Sequence, residues 1–240
     1  LLSLISFYYG NKLYLKKIDL TSHKIKANVS FVFISDVHLG SNSERHLLKI
    51  INEINKYEID FLLIGGDLID SSSASIASLK HFKNLKCPIY FVTGNHEYYI
   101  KNSTSIISNL NKYNIQHISN QSIIFNDLNL IGIDDNLSKD QQMKLLNNNL
   151  KETNYNLLLV HKPSIWDKIN DNLDLMLSGH THNGQIFPFN LFVRIQFKFK
   201  YGLYNNNNSF LYVSSGSGPW GPKMRLGTFN EVILFNLSPK

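Results

Sequence analysis

Cysteine is almost absent from these 240 residues: Cys87 stands alone, which excludes a disulfide framework and any multi-cysteine zinc or iron–sulfur site. A chain without disulfides can work on either side of a membrane, so its compartment stays open. Long apolar runs are also missing. The opening Leu1-Leu2-Ser3-Leu4-Ile5-Ser6-Phe7-Tyr8-Tyr9-Gly10 falls well short of the roughly 20 residues that a spanning helix needs. No basic flank or small-residue cleavage site marks it as a signal peptide. The segment is read in two ways, as a strand or helix packed on the core or as the tail end of a membrane anchor. Carboxylates are outnumbered: 18 Asp+Glu against 24 Lys+Arg leave a formal charge of +6 and a pI near 9.2. That balance suits a phosphate ester, a nucleic acid or a membrane surface without choosing among them. There is no internal repeat, and the Asn runs at 147–149 and 205–208 read as loops or helix ends.

What is present describes a folded α/β chain. Hydrophobic residues at 43% and aromatics at 12% exclude a disordered protein. The run 29–34 is apolar and β-branched, as a buried strand should be, and 60–64 and 88–92 repeat the pattern. Between them, 43–57 carries Leu47, Leu48, Ile51, Ile54 and Tyr57 at helical spacing, with Ser43 as N-cap, and 73–85 reads as a helix with Ile76, Leu79 and Phe82 on one face. This alternation predicts an α/β layer with right-handed crossovers. A hairpin return near 126–133, a polar helix at 139–150 and strands at 156–160, 173–177, 209–215 and 231–237 complete the reading. No composition shift marks a linker. One domain is expected over residues 29–240, preceded by a segment 1–28 that holds the first strand and, on the second reading above, the remnant of an anchor.

The chemistry lies where polar residues meet strand ends. In open α/β sheets, sites gather at the carboxyl ends of strands, where loops converge. The five strands end in Ser35-Asp36-Val37-His38, Gly65-Gly66-Asp67-Leu68-Ile69-Asp70, Thr93-Gly94-Asn95-His96-Glu97, His161-Lys162-Pro163 and Ser178-Gly179-His180-Thr181-His182. Asp, Asn and His without a thiolate suit hard or borderline divalent ions such as Mn, Fe or Zn. In Asp36-x-His38 and His180-x-His182, alternate residues of an extended segment project to one side. The candidate ligands are too many for one ion with open positions and about right for two, and the Asp67 carboxylate has an oxygen for each.

These five ordered blocks resemble the calcineurin-like metallophosphoesterase superfamily. The later Val213-Ser214-Ser215-Gly216 and Met224-Arg225-Leu226-Gly227 are most similar to its bacterial membrane-linked branch, which includes UDP-2,3-diacylglucosamine pyrophosphatase-type enzymes of lipid A synthesis. The resemblance implies a four-layer α/β/β/α sandwich of two mixed β-sheets flanked by helices. It also implies a phosphoester hydrolase with two divalent ions (Mn, Zn or Fe), in which a hydroxide bridging them attacks phosphorus in line. By motif, Asp36, His38, Asp67 and His182 would hold one ion, and Asp67, Asn95, His161 and His180 the other. His96 would hold the phosphate or protonate the leaving oxygen, and Glu97 would orient His96. Asp70 is expected to hold its loop, and His23, His46, His81 and His117 read as surface or packing residues.

The stretch from Phe187 to Tyr204 interleaves aromatics with cations, nearly alternating from Arg194 to Lys200. It reads as a two-faced strand covering the core, or as a substrate or membrane lip of Arg194, Phe197, Lys198 and Lys200 facing an anionic lipid interface. A single-stranded nucleic acid groove is the least favoured reading, and no stable nucleic-acid partner is expected. The expected protein is a monomer with peripheral contact to a bacterial inner membrane, its cytoplasmic face favoured over the outer, acting on a phosphate-ester, lipid-linked substrate. Two other readings stay open: a soluble nucleotide or cyclic-nucleotide phosphodiesterase, and a metal-binding interaction scaffold without catalysis.

Overall fold

The computed structural model describes residues 1–169 and 172–240. Twelve strands form two six-stranded sheets. The first sheet contains β1 (Leu13–Ser22), β2 (Val29–Ile34), β3 (Phe61–Gly65), β4 (Ile89–Val92), β5 (Ile115–His117) and β12 (Asn230–Pro239), in the order β1-β12-β2-β3-β4-β5. The second contains β6 (Gln121–Phe125), β7 (Leu128–Ile133), β8 (Tyr155–Val160), β9 (Leu175–Ser178), β10 (Gly202–Asn206) and β11 (Ser209–Val213), in the order β10-β11-β9-β8-β7-β6. Both sheets are mixed: β12 runs antiparallel to β2 but parallel to β1, while β2 through β5 are parallel. In the second sheet, β7, β8, β9 and β11 are parallel, and β6 and β10 close the edges antiparallel.

The period of two along the strands builds the layers. Phe31, Phe33, Phe61 and Leu63 face inward and meet Leu130, Leu157, Leu159, Leu175, Leu177 and Tyr212 of the other sheet. Their alternates Val32, Ile34, Leu62 and Ile64 face outward and are covered by Leu47, Ile50, Ile51 and Ile54 of α2 (Glu44–Ile54). The second sheet's outer face, with Ile131, Leu158, Val160 and Met176, is covered by Leu146 of α5 (Lys139–Asn149) and by Ile165 and Trp166 of the short helix Pro163–Lys168. The result is the four-layer α/β/β/α sandwich.

Local chemistry sets several boundaries. Ser138 caps α5: its hydroxyl accepts from the Gln141 amide (3.3 Å), and the Gln141 side chain returns the bond to the Ser138 amide (2.9 Å). Ser43 occupies the N-cap of α2, but its side chain makes no capping bond. The expected helix at 73–85 is a 3₁₀ helix, Ile76–Asn84. Its apolar residues Ile76, Leu79, Phe82 and Leu85 recur every third position, which fits three residues per turn better than 3.6. α1 (Leu2–Gly10) leaves Leu2, Leu4, Phe7 and Tyr8 exposed and buries only Ser6 and Gly10, so the core-packing reading of this segment does not hold. α3 (Asn95–Tyr99) and α4 (Ser103–Ser108) follow β4. α6 (Phe189–Gln196) stands where an alternating strand was one reading. Phe189 and Val193, four residues apart, share one helical side, with Phe197 beside them in extended backbone just past the helix, and this period overrides the shorter alternation.

Phe31 lies stacked between Phe61 (4.9 Å) and Phe235 (5.0 Å) at the centre of the sandwich. Phe31→Ala is expected to lower unfolding free energy by about 3–5 kcal/mol, measured by urea denaturation of the purified chain.

Candidate metal centre

The carboxyl ends of β2, β3 and β4 from one sheet and of β8 and β9 from the other meet at one edge of the sandwich. The join is tight: the His180 amide donates to both Asp36 oxygens (3.1 Å each), and His161 Nδ1 lies 2.8 Å from the Gly65 carbonyl. At Gly94 and Gly179, a Cβ would run into the carboxylates of Asp67 and Asp36, so only glycine allows these loops so close. Five of the seven candidate ligands, Asp36, His38, Asp67, His180 and His182, have left-handed backbones with φ between 49° and 71°. Among described non-glycine residues elsewhere, this conformation belongs to Asn and to Gln185. Asn, Asp and His adopt it more often than other non-glycine residues, yet each held there costs on the order of 1–3 kcal/mol, and such residues cluster at functional sites.

Donor atoms converge on two points. His38 Nε2 and His182 Nε2 are 3.0 Å apart, and Asp36 Oδ1 is 3.4 Å from the latter. Asp67 Oδ2 lies 3.2 Å from His161 Nε2 and 3.9 Å from His38 Nε2, and His180 Nδ1 is 3.2 Å from His161 Nε2. Asp67 is therefore common to both groups, its other oxygen accepting from the His96 amide (2.9 Å). Asn95 Oδ1 is buried with no hydrogen-bond partner. Ring nitrogens aimed at one another and an orphaned amide oxygen are what a cation between them would satisfy, so the residues fit a pair of divalent ions.

A second set of residues orients these donors. The His161 Nδ1–H donates to Gly65, leaving Nε2 free as a ligand. Asp70 accepts from the Ser41 amide (2.9 Å), holding its loop as expected, and its other oxygen is 3.2 Å from His38 Nδ1. Glu97 corrects the sequence reading. It does not orient His96; its carboxylate accepts from the backbone amides of Asp67 (3.0 Å), Ile69 (3.0 Å) and Gly94 (2.7 Å). A glutamate at the third position of α3 reaches back to loop amides more readily than to its neighbour's ring. His96 is partly exposed, its ring between His38 (4.8 Å), Tyr99 (5.5 Å) and Trp220 (5.6 Å).

Charge follows from this packing. Burial opposes ionisation of Asp67, but His161, His38 and His96 outweigh it and hold the carboxyl below its ordinary range. Burial likewise opposes a charged His161, yet Asp67 lifts it to about 10. Burial, then the charge on His161, pushes His180 down to about 3. Burial, then the Asp67 carboxylate, pushes Glu97 up to about 7. Burial is also the main cause lowering His96.

The lip residues separate. Phe197 faces the His180 ring (5.4 Å). Lys198 pairs with Asp167 (2.7 Å), and Lys200 contributes its carbonyl, which accepts from the Thr181 hydroxyl. Neither lysine lines the apolar cleft beside His180 and His182. The Arg194 side chain lies outside the described residues. His46, His81 and His117 bond to Ser217, Glu44 and Asp134, as packing residues would.

Sequence reasoning gave no role to three groups, one of them, Arg225, already inside a quoted motif. Arg225 is fully buried and donates to the His182 carbonyl (2.9 Å), the Gly218 carbonyl (3.0 Å) and Asn230 (2.9 Å). Asp135, paired with Lys162 (2.6 Å), follows β7 and interacts electrostatically with His161. Its position at a strand end was the available signal. Trp220, beside His96, had none.

An Asp/Asn/His cluster without cysteine at the carboxyl edge of a two-sheet sandwich defines a protein of the metallophosphoesterase type. Residues 29–184 match the sequence model of the calcineurin-like phosphoesterase family. An uncharacterized metallophosphoesterase of Helicobacter pylori is 34% identical over 238 residues, 94% of this chain and 64% of the relative. A bovine (Bos taurus) transmembrane protein with metallophosphoesterase domain is 29% identical over 244 residues, 90% of this chain and 55% of the relative. The chain thus spans less than two thirds of the length of either relative. The anchor in the inner membrane complex of Plasmodium shares the fold at 12% identity, with a TM-score of 0.51 over 89% of this chain and 82% of that one. The chain belongs to the calcineurin-like phosphoesterase family.

Two outcomes test the site. Because His161 is protonated at neutral pH in the metal-free protein and must lose that proton to bind, affinity for Mn²⁺ should rise about tenfold per pH unit through the neutral range, read by calorimetric titration. Glu97→Ala leaves three loop amides without their acceptor and should cost about 3 kcal/mol or more, with weaker metal binding, read by thermal melting and metal content.

Proposed function

We propose that the chain hydrolyses a phosphodiester or pyrophosphate bond in an amphiphilic, lipid-linked substrate. The supporting observation is a cleft of about 370 Å³ that begins at His180 and His182 and continues along Ile186, Phe189, Val193, Phe197, Trp220 and Pro222. A phosphate-binding group at one end and a mainly apolar wall at the other suit a substrate with a charged head and an aliphatic or otherwise apolar body. UDP-2,3-diacylglucosamine, suggested by the motifs, has this character.

Asp36, His38, Asp67 and His182 would hold one divalent ion and Asp67, Asn95, His161 and His180 the other. When bound, the ions supply Lewis acidity and an activated water. The protein's own part is positional. Glu97, Asp70 and Arg225 fix the loops that carry the ligands, so little reorganisation accompanies reaction. His96, partly exposed and held through its amide by Asp67, faces the substrate side. Its lowered pKa keeps the ring neutral near pH 7, still carrying one N–H to donate to a phosphoryl or leaving oxygen.

Asp67→Asn and His182→Ala should each abolish metal-dependent hydrolysis of bis(p-nitrophenyl) phosphate. His96→Asn should retain metal and lower kcat by roughly 10²–10³-fold. Full activity in the first two variants would end the two-metal reading. A substrate panel of UDP-diacylglucosamine, cyclic nucleotides and simple diesters separates the lipid-linked reading from a soluble nucleotide phosphodiesterase, and failure on all of them favours the scaffold.

A further inference from the structure

The large exposed apolar side chains fall mainly on one face. α1 exposes Leu2, Leu4 (75%), Phe7 and Tyr8, and α6 with its lead-in exposes Phe187, Phe189, Leu191, Phe192 and Ile195 (85%). These two helices are more than 170 residues apart in sequence and are joined by the segment 219–226. On one side, the Arg225 amide donates to the Ser6 carbonyl (2.9 Å), and Gly10 packs against Lys223. On the other side, the Gln185 side chain bonds the backbone of Trp220 and Pro222, and Leu226 exchanges backbone bonds with Gln185 and Phe187. Trp220, 52% exposed, sits in this bridge with its ring on His96. The apolar face therefore reaches the mouth of the metal centre through α6 and Trp220, with α1 on the far side of the bridge.

Charge on the same segments has one sign. Residues 1–18 and 175–230 contain eight Lys or Arg and no Asp or Glu. Arg225 is buried and Lys198 is paired, but Lys12 and Lys223 form no ion pair among the described residues. Tyr8, Tyr9 and Lys12 follow the apolar start of α1, and the Lys12 ammonium lies over the Tyr8 ring (4.4 Å). Aromatic rings and a lysine at the end of an apolar helix form the pattern of a membrane–water boundary. α6 exposes Leu191, Phe192 and Ile195 on sides that do not line the cleft, and the cations nearby suit an anionic lipid surface better than a protein partner. At nine residues, α1 extends roughly 13 Å, less than half the bilayer's hydrocarbon thickness.

We propose that α1, α6 and Trp220 form a docking surface for an anionic lipid bilayer, which holds the metal centre facing the membrane. Aliphatic and aromatic side chains enter the headgroup–acyl boundary while Lys12 and Lys223 remain at the anionic headgroups. Docking needs neither bound metal nor turnover, so it stands or falls separately from the hydrolytic reading.

The test is flotation of the 240-residue chain with phosphatidylcholine vesicles, with and without phosphatidylglycerol. Wild type should float with the anionic vesicles and be released by salt. Phe192→Glu/Ile195→Glu on α6 and Leu4→Glu/Phe7→Glu on α1 should each weaken partitioning about tenfold or more. Ile124→Glu, on exposed β6, should leave it unchanged. All these positions are on the surface, and unchanged thermal melting confirms that the variants fold. Orientation has its own readout, because the two tryptophans differ: Trp166 is buried and Trp220 exposed. Vesicles should shift tryptophan emission to the blue, and Trp220→Phe should remove the shift while flotation persists. Absence of flotation, equal flotation of the helix variants, or self-association through these residues without lipid would overturn the proposal. Flotation with no change at Trp220 would overturn the orientation.

Discussion

Asp67 occupies the point where the two sheets come together. One of its oxygens accepts from the His96 amide, and the other faces His161 and His38. Its own backbone is held by Glu97, which in the same grip fastens Gly94 and Ile69. A carboxylate so placed fixes the separation between two groups of ligands that come from loops on different sheets. If it moved, neither group would keep its geometry, because the loops are packed too closely to adjust separately. The left-handed backbones of Asp36, His38, Asp67, His180 and His182 show the same constraint from another direction: the strain is localised here and the buried core of the sandwich offsets it.

The fold stands on ordinary apolar alternation, and that is why so much of it can be read from sequence. Strands such as 29–34 and 156–160 are short, apolar and sharply bounded, so the polar residues at their ends are conspicuous. What could not be read depended on competition between periods or on contacts without a period. From Arg194 to Lys200 charged and apolar residues alternate, but the chain there passes from the end of α6 into an extended segment, and no single element owns the pattern. The three-residue recurrence from Ile76 to Leu85 is close enough to 3.6 to read as an α-helix. Glu97 next to His96 suggests a pair until the loop amides are seen to lie nearer. Arg225 and Trp220 come from a Gly- and Pro-rich loop with no repeating pattern, and their partners are distant in sequence.

The surplus of positive charge is distributed unevenly. The metal centre is rich in carboxylate and imidazole, whereas the segments that frame its mouth lack carboxylates altogether. Catalytic chemistry and surface charge are thus separate features of the same edge. The Arg225–Asn230 pair lies beneath both, since Asn230 also donates to the carbonyls of Gly10 (2.8 Å) and Lys12 (2.9 Å). The N-terminal helix and the loop of His182 therefore rest on one shared polar support.

The order of the first sheet bears on how the protein comes into being. β12 lies between β1 and β2, so a strand made late is inserted between two made about 200 residues earlier. Leu13 pairs with Asn230, a separation in sequence that spans nearly the whole chain. Until residues 230–239 are in place, β1 and β2 each lack their partner in this sheet. Closing a loop of that length is slow, and an exposed apolar slot is a site for mispairing while it lasts. The loop that carries Gly216, beside His182 and Asp36, leads directly into β12, so completing the metal-binding edge depends on the insertion of that strand.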